Sequence, residues 1–173
     1  MNPFTHFVGV DWSGAKGAHH KGLIIALCGS DEEAPQLVQP PSGHAYWSRI
    51  ECGKWIAAGC GLPRSARILL GIDAAFGMPF LDEGTYFPAR ANVPDSAPDL
   101  WAYIAEHCTA SEDYFGGPFV NALSEHYHQH GGKRGGLYQR RMRMAEDYCR
   151  AARIGPCESV FNLVGASQVG KSA

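Results

Sequence analysis

Two short apolar stretches that each end in an aspartate constrain the fold of this 173-residue chain more than any other feature. The first, Phe7–Gly14, carries Asp11 into a polar turn that contains glycine. The second, Arg67–Asp73, ends in Asp73 and is followed by small and turn-forming residues. Continuous apolar runs closed by turn residues are typical of buried strands. We therefore predict that both aspartates lie where a central strand leaves a sheet, although either one alone would equally suit a turn or a helix cap.

The order of the remaining segments predicts a mixed sheet. Strands are expected at 6–13, 22–28, 36–39, 67–73 and 159–164, and helices at 42–58 with Ser42 as N-cap, 98–108, 119–128 and 137–150. The short connection between the first two strands predicts an antiparallel hairpin, and the helices between later strands predict parallel pairing. We therefore expect one α/β domain over residues 1–173, with a mixed sheet flanked by helices.

Composition limits the classes of protein that the chain can represent. Hydrophobic residues make up 45% and charged residues 18%, which is ordinary for a globular domain. The net charge of −2 provides no general attraction to nucleic acid or anionic lipid, so any such affinity must be local. The six cysteines form no C-x-x-C pair, and no apolar run is long enough to span a membrane. We expect a soluble cytoplasmic protein with reduced thiols and no membrane partner.

Three acidic residues fall on elements in an order that resembles a known superfamily. Asp11, Glu51 and Asp73 lie on the first predicted strand, the helix after the third strand, and the fourth strand. The ribonuclease H-like superfamily places its first three acidic residues on those elements in that order. The resemblance implies an RNase H-like fold with these three residues as the catalytic and metal-binding carboxylates.

Three motifs resemble one family within that superfamily more closely. Residues 8–15, 71–79 and 159–165 are similar to the domain of unknown function 429, a family of predicted RNase H-like nucleases. Ala75 replaces the proline of the family's aspartate–alanine–proline–phenylalanine–glycine motif. Family members generally continue past the final motif, so we expect that the chain is C-terminally truncated or a fragment. The implied activity is metal-dependent phosphodiester hydrolysis.

The chemistry of carboxylates is consistent with that implication. Mg²⁺ and Mn²⁺ bind carboxylate oxygens, and Mg²⁺ usually takes one or two of them from protein, with water and substrate phosphates completing its shell. Two ions about 4 Å apart can activate a water and stabilise the leaving oxygen. Glu51 lies at the edge of an apolar helical stripe, where a carboxylate is costly unless it has a partner. The alternative is that the two aspartates are turn or cap residues and that Glu51 faces solvent.

A basic segment is the candidate nucleic-acid-binding region. Seven of the fifteen lysine and arginine residues lie between 133 and 153, with Tyr138 and Tyr148 among them. The residues expected to contact nucleic acid, RNA or DNA, are Lys133, Arg134, Arg140, Arg141 and Arg143. Basic residues with interleaved aromatics suit a phosphate backbone or unpaired bases, whereas an ordinary solvated helix face is the competing interpretation.

Five further residues are candidates for accessory roles at the site: Ser13, Lys16, His126, His128 and Glu146. Arg143 and Glu146 resemble an arginine-to-glutamate pattern found near this helix in the family, which would bring Glu146 to the site. The histidines at 126, 128 and 130 would share one face of a strand and suit zinc there, or assist proton transfer, or form a polar surface segment.

Two other functions compete with the nuclease. The tail Gly165–Ser172 matches the P-loop signature G-x-x-x-x-G-K-[ST], but only Ala173 follows, which leaves no helix to cradle a phosphate. A nucleotide-dependent phosphotransferase or ATPase of the actin-like kind would use Asp11, Ser13, Gly14 and Lys16 beside phosphates, and it normally needs a duplicated second domain. A non-catalytic nucleic-acid-binding domain is the third possibility.

Overall fold

A computed structural model describes residues 3–30, 34–155 and 157–164 of the chain. The protein is a mixed α/β structure, and its contacts divide it into two compact units. One unit comprises the chain up to Ala74 together with Glu112–Tyr114, and the other comprises Ala75–Ser111 and the described residues from Phe115 onward. The P-loop match at Gly165–Ser172 lies outside the described residues.

The first unit contains a four-stranded mixed sheet in the order β3-β2-β1-β4. Its strands are β1 (His6–Asp11), β2 (Ile24–Gly29), β3 (Gln36–Leu37) and β4 (Ile68–Asp73). β1 pairs with β2 in the antiparallel sense and with β4 in the parallel sense. The prediction of a hairpin followed by a parallel strand is confirmed. The first strand ends at Asp11, two residues before the predicted boundary.

Helix α1 (Arg49–Ala57) packs against one face of this sheet. Its Cys52 joins Val8, Val10 and Ile25 in the buried core of the unit. The period of two along a strand sends alternate side chains to the opposite face, where Gly9, Asp11, Gly71 and Asp73 are exposed. The sheet therefore has a covered face and an open face.

The predicted helix start at Ser42 is wrong. Ser48 is the N-cap: its hydroxyl accepts a hydrogen bond from the backbone N–H of Glu51 at 3.0 Å. Ser42 lies six residues earlier, in a turn after two prolines. A serine before an apolar stretch predicts a cap, but the sequence offers two such serines, and the helix begins at the second.

The second unit is helical and loop-rich. Its helices are α2 (Ala97–Cys108), α3 (Gly117–Ala122) and α4 (Met144–Ala151), with short 3₁₀ turns at Ser124–His126 and His130–Gly132. The core contains Phe87, Leu100, Phe119, Tyr127 and Phe161. The structure confirms α2, while the predicted 119–128 helix is α3 followed by a 3₁₀ turn. Within the described ranges, no helix is long and apolar enough to cross a membrane.

Two predicted elements of this unit are wrong. The predicted 137–150 helix begins only at Met144, because the preceding residues take an irregular path on which Arg141 bonds a distant loop. The predicted strand 159–164 is instead a turn: the Ser159 carbonyl accepts from the Asn162 N–H at 3.0 Å, and Asn162 forms only an isolated bridge with His128. Apolar periodicity did not reveal this local hydrogen bonding.

Candidate carboxylate site

Asp11 and Asp73 lie side by side at the ends of two neighbouring strands. The parallel register of β1 and β4 pairs Asp11 with Asp73 and Gly9 with Gly71. Paired strands lie about 4.8 Å apart, so the two carboxylates start from adjacent backbone positions on the same face. Both side chains are exposed, and neither carboxylate has a hydrogen-bond or ion-pair partner among the described residues. The two predicted strand-end aspartates are thus brought together. The prediction that both strands are central is wrong for β4, which is the terminal strand of the sheet among the described residues.

Two glycines leave the sheet bare beside these aspartates. A Cβ added to Gly9 or Gly71 would find no heavy atom within 4 Å, so packing does not require glycine at either position. By contrast, a Cβ on Gly135 would collide with the backbone of Glu125, which is a structural requirement for glycine. Glycine inside a strand weakens it and often marks a place where another group approaches the backbone closely. A shallow depression lined by both aspartates and both glycines lies here.

Glu51 does not join the two aspartates. Its carboxylate accepts hydrogen bonds from the Ser42 backbone N–H at 2.8 Å and from the Ser42 hydroxyl at 3.0 Å. Glu51 also belongs to α1, which packs against the face of the sheet opposite the aspartates. No group of three or more histidine, cysteine, aspartate or glutamate side chains that could hold a metal ion occurs in residues 3–30, 34–155 and 157–164. The carboxylate of Glu51 therefore stabilises the turn at Ser42.

The loop that follows Asp11 is held from the helix side by Arg49. The guanidinium donates to the carbonyl of Ser13 at 2.8 Å and also to the carbonyl of Ala15. The Ser13 hydroxyl accepts from the Ala15 N–H at 3.4 Å, so this predicted accessory residue shapes the turn itself. Lys16 is exposed at the tip of the loop. Arg49 thus fixes the backbone immediately after the strand-end aspartate.

A buried aspartate that no sequence motif identifies supports this arrangement. Asp113 is 8% exposed, and its carboxylate accepts from the backbone N–H groups of Arg49 at 2.6 Å and Ile50 at 3.0 Å. It also lies 2.9 Å from Nε2 of His20. These amides are the first two of α1, where a carboxylate also favours the helix dipole. Asp113 is more than sixty residues away in sequence, so no local motif identifies it.

The structure contradicts the prediction that Arg141 contacts nucleic acid. Its guanidinium is 6% exposed and donates to both oxygens of Asp82, at 2.8 and 2.6 Å. It also donates to the carbonyls of Pro79, Thr85 and Tyr86. A buried guanidinium bonded in this way organises the 79–86 loop and is not accessible to a phosphate. The same ion pair holds the pKa of the Asp82 carboxyl below its usual value.

Two other arginines of the segment are paired with carboxylates. Arg140 donates to Glu158 in a bidentate pair, at 2.9 and 3.2 Å. At the start of α4 the Glu146 carboxylate accepts from the backbone N–H of Arg143 at 2.7 Å and from its side-chain Nε at 2.9 Å. Of the five predicted basic contacts, Lys133 and Arg134 are exposed and have no carboxylate partner among the described residues. The positive charge available to a phosphate is therefore small, and Glu146 is occupied by Arg143.

The two histidines predicted as accessory residues differ in environment. His126 is 3% exposed, its Nε2 has no hydrogen-bond partner in the described part of the chain, and its ring lies edge-on to Phe87 at 5.4 Å. Burial lowers the pKa of His126, although Glu125 at 3.8 Å opposes this effect. The ring of His128 lies 5.3 Å from that of Tyr138. Both belong to the second unit and take part in its packing.

Comparison of the chain with protein-family models, curated proteins and solved structures gave no match. The site must therefore be interpreted from its own geometry. Asp11 and Asp73 present two exposed carboxylates on adjacent strand ends, without partners in the part of the chain that the structure describes, beside two glycines of the same strands. The repulsion between two such charges is relieved when a cation binds between them.

Proposed function

We propose that the protein is a metal-dependent nuclease, a phosphodiester hydrolase with an RNase H-like fold, in which Asp11 and Asp73 hold a divalent cation. The observation that carries the proposal is the register of β1 with β4, which sets the two carboxylates side by side on the open face. The resemblance of both aspartate motifs to predicted RNase H-like nucleases supports the same reaction. Mg²⁺ or Mn²⁺ is the cation that these oxygen ligands favour.

A pair of carboxylates is sufficient for such a cation. Mg²⁺ commonly binds one or two carboxylates and completes its octahedral shell with water and substrate phosphate. The metal would supply Lewis acidity at a phosphoryl oxygen and a water of lowered pKa. Gly9 and Gly71 leave the backbone of β1 and β4 open beside the carboxylates, so a phosphodiester can approach the backbone there, with Ile24 and Ala26 of β2 on the other side of the depression. Glu51 is not required in this arrangement, which therefore differs from the three-carboxylate site implied by the resemblance.

The first test is Mn²⁺ and Mg²⁺ binding by calorimetry. We expect the native chain to bind, and Asp11→Asn and Asp73→Asn each to weaken binding by tenfold or more, because a carboxylate ligand is replaced by an amide. Glu51→Gln is the matched control: it removes a carboxylate of the predicted trio that is bonded to Ser42, and it should bind as the native chain does. Equal losses in all three variants would restore the three-carboxylate site and contradict the two-aspartate site.

The second test separates the enzyme from its alternatives. The native chain and the same variants are incubated with RNA, DNA and hybrid oligonucleotides in Mg²⁺ or Mn²⁺, and with ATP. Cleavage that disappears in Asp11→Asn supports the nuclease, whereas ATP turnover without cleavage selects a phosphotransferase. Oligonucleotide binding that is unchanged by Asp11→Asn and lost in a Lys133→Ala and Arg134→Ala double variant selects a non-catalytic binding domain. If no metal binds even with a non-cleavable oligonucleotide present, the proposal fails.

A further inference from the structure

A defined turn ends helix α4. Arg153 follows the helix in the left-handed backbone conformation, with φ = 54°, and its N–H donates to the Arg150 carbonyl at 3.1 Å. The next N–H, that of Ile154, donates to the Cys149 carbonyl at 3.0 Å. These two hydrogen bonds form the Schellman arrangement, in which a left-handed residue ends a helix. The turn therefore begins at Cys149, in the last turn of α4.

A second thiol lies beside Cys149. The thiol of Cys157 forms a side-chain hydrogen bond with the thiol of Cys149, and both thiols are half-buried. The Cys157 carbonyl accepts from the Arg140 guanidinium at 3.4 Å, and the Cys157 Sγ lies 3.9 Å from the Gly155 carbonyl oxygen. A disulfide cannot form between cysteines whose side chains point apart, whereas hydrogen-bonded thiols point toward each other. The pair is therefore placed for disulfide formation.

A second pair of cysteines has the same spacing along the chain but a different environment. Cys52 and Cys60 are eight residues apart, as are Cys149 and Cys157. Cys52 and Cys60 are buried in the core of the first unit, with 0% and 4% of their surface exposed. Burial, followed by the Cys60 thiol and the Asp113 carboxylate, raises the pKa of Cys52 to about 11. Because the thiolate is the reactive form and must be accessible, the buried pair should be inert.

We propose that Cys149 and Cys157 are a site of reversible oxidation, at which hydrogen peroxide converts the two thiols into an intrachain disulfide. The bond would join α4 to the segment that carries Val160 and Phe161 into the core of the second unit. The proposal rests on the contact between the two thiols and on their exposure. It does not depend on the proposed hydrolase.

The oxidation takes place in two steps that consume one peroxide. In the first, a thiolate attacks one oxygen of hydrogen peroxide, the O–O bond breaks, and the sulfur is oxidised to a sulfenic acid. The departing hydroxide takes up the proton that the thiol released and becomes water. In the second step, the other thiolate attacks the sulfenic sulfur, the S–S bond forms and the S–O bond breaks, which releases a second water. Two thiols and one peroxide thus give one disulfide and two waters.

The test is treatment of the folded native chain with hydrogen peroxide, followed by alkylation of the remaining thiols, trypsin digestion and mass spectrometry. The reaction is run at mildly alkaline pH, because partial burial and the neighbouring Cys149 thiol raise the pKa of Cys157. Trypsin cuts after Arg150 and Arg153, so the disulfide would join peptides 144–150 and 154–171. The joined pair should weigh two hydrogen atoms less than the separate peptides, and dithiothreitol should return both thiols.

The buried pair provides the internal control. Trypsin also separates Cys52, in peptide 50–54, from Cys60, in peptide 55–64. In the folded chain we expect the 149–157 link to form in roughly tenfold or greater excess over a 52–60 link, because accessibility controls thiol oxidation. In urea the equal spacing of the two pairs gives them equal loop-closure costs, and the preference should disappear.

Cys28→Ser is the matched control variant. It removes another half-buried thiol, which lies on β2 in the first unit, and it should leave the yield of the 149–157 link unchanged. The proposal is overturned if peroxide gives no 149–157 link in the folded chain, or no more of it than of the 52–60 link. It is also overturned if the preference persists undiminished in urea, or if the yield rises with protein concentration, since the bond would then join two chains.

Discussion

The aspartates of the first unit occupy two opposite environments. Asp113 is buried, and its carboxylate is satisfied by two helix amides and by His20. Asp11 and Asp73 are exposed and have no side-chain partner among the described residues. Asp113 is explained by the stability that it gives to the fold. The pair on the open face is not explained in that way, and this contrast is why we assign function to Asp11 and Asp73.

The pair on the open face carries an energetic cost. Aspartate is disfavoured in strands, and like charges directly opposite one another on neighbouring strands are destabilising. Gly9 and Gly71 add a further cost, because glycine weakens a strand interior and neither position requires glycine for packing. Each of the two adjacent strands therefore contains an aspartate and a glycine that are unfavourable for stability, which indicates that these residues meet a requirement other than stability. A bound cation and an approaching phosphodiester would meet that requirement.

Among the variants that test this contrast between buried and exposed aspartates, Asp113→Ala is expected to have the largest effect on stability. Removing this carboxylate leaves the first two backbone amides of α1 without their acceptor and takes away the charge 3.7 Å from the buried Arg49 guanidinium. We expect the free energy of unfolding to fall by about 3–5 kcal/mol. Urea denaturation followed by circular dichroism measures it. Asp113→Asn should fall between native and Asp113→Ala, since it keeps one acceptor oxygen and asparagine tolerates the backbone conformation at φ = 49°.

Glu112→Ala is the control for that measurement. Glu112 adjoins Asp113 in the chain but is exposed, so removal of its charge should change stability by no more than about 0.5 kcal/mol. A loss in Glu112→Ala comparable with that in Asp113→Ala would mean that the 112–114 turn, not the buried carboxylate, stabilises α1. Asp113 could then no longer serve as the example of a structural aspartate with which Asp11 and Asp73 are compared.

A smaller effect is expected at His126, a buried side chain whose Nε2 has no hydrogen-bond partner among the described residues. Burial lowers the pKa of His126 below its usual 6.5, so the folded state favours the neutral ring. The resulting stability is present above pH 6.5 and is lost as the pH falls through the lowered pKa, because the unfolded chain binds the proton first. His126→Phe keeps an aromatic ring beside Phe87 and removes the titration.

The unfolding free energies of native and His126→Phe protein between pH 7 and pH 5 check this effect. The native chain should lose stability faster than the variant as the pH falls, and the gap between the two slopes is the contribution of His126. Parallel slopes would show that His126 has the same pKa in the folded and unfolded states, which would contradict the effect of burial. His126→Phe should leave metal binding unchanged, since His126 is not part of the carboxylate pair.

The parts of the fold that could be predicted are those set by local patterns. The runs that end in Asp11 and Asp73 are apolar and bounded by turns, so both strands were found within two residues of their observed ends. Their parallel register brings the aspartates together, which the sequence alone could not show, because it depends on how the two strands pair. The same local pattern predicts Ser42 as the helix cap, but Ser48 is the residue whose hydroxyl accepts the backbone N–H of Glu51 in the first turn.

The parts that could not be predicted depend on partners distant in sequence. Arg141 lies in a segment that was predicted to be a basic surface. Its guanidinium is instead buried and bonds Asp82, which lies 59 residues earlier in the chain. The position of Glu51 in the sequence predicts a metal ligand, but its carboxylate accepts hydrogen bonds from the Ser42 backbone N–H and hydroxyl. Nothing near Asp113 in the sequence indicates that it caps α1. A charged residue type does not reveal whether its partner is protein, solvent or ligand, and that depends on the tertiary fold.

The smallest effect on stability, and the sharpest test of the contrast, is expected from Asp11→Asn and Asp73→Asn. Each substitution keeps the side-chain volume, breaks no hydrogen bond among the described residues and removes a like-charge repulsion. The free energy of unfolding should therefore change by no more than about 0.5 kcal/mol, or rise slightly, when measured by urea denaturation without divalent metal. Repeating the measurement with Mn²⁺ should stabilise the native chain and neither variant, because a ligand that binds only the folded state raises its stability. If either variant is instead destabilised as strongly as Asp113→Ala in the absence of metal, that aspartate supports the fold, and its assignment to a functional site fails.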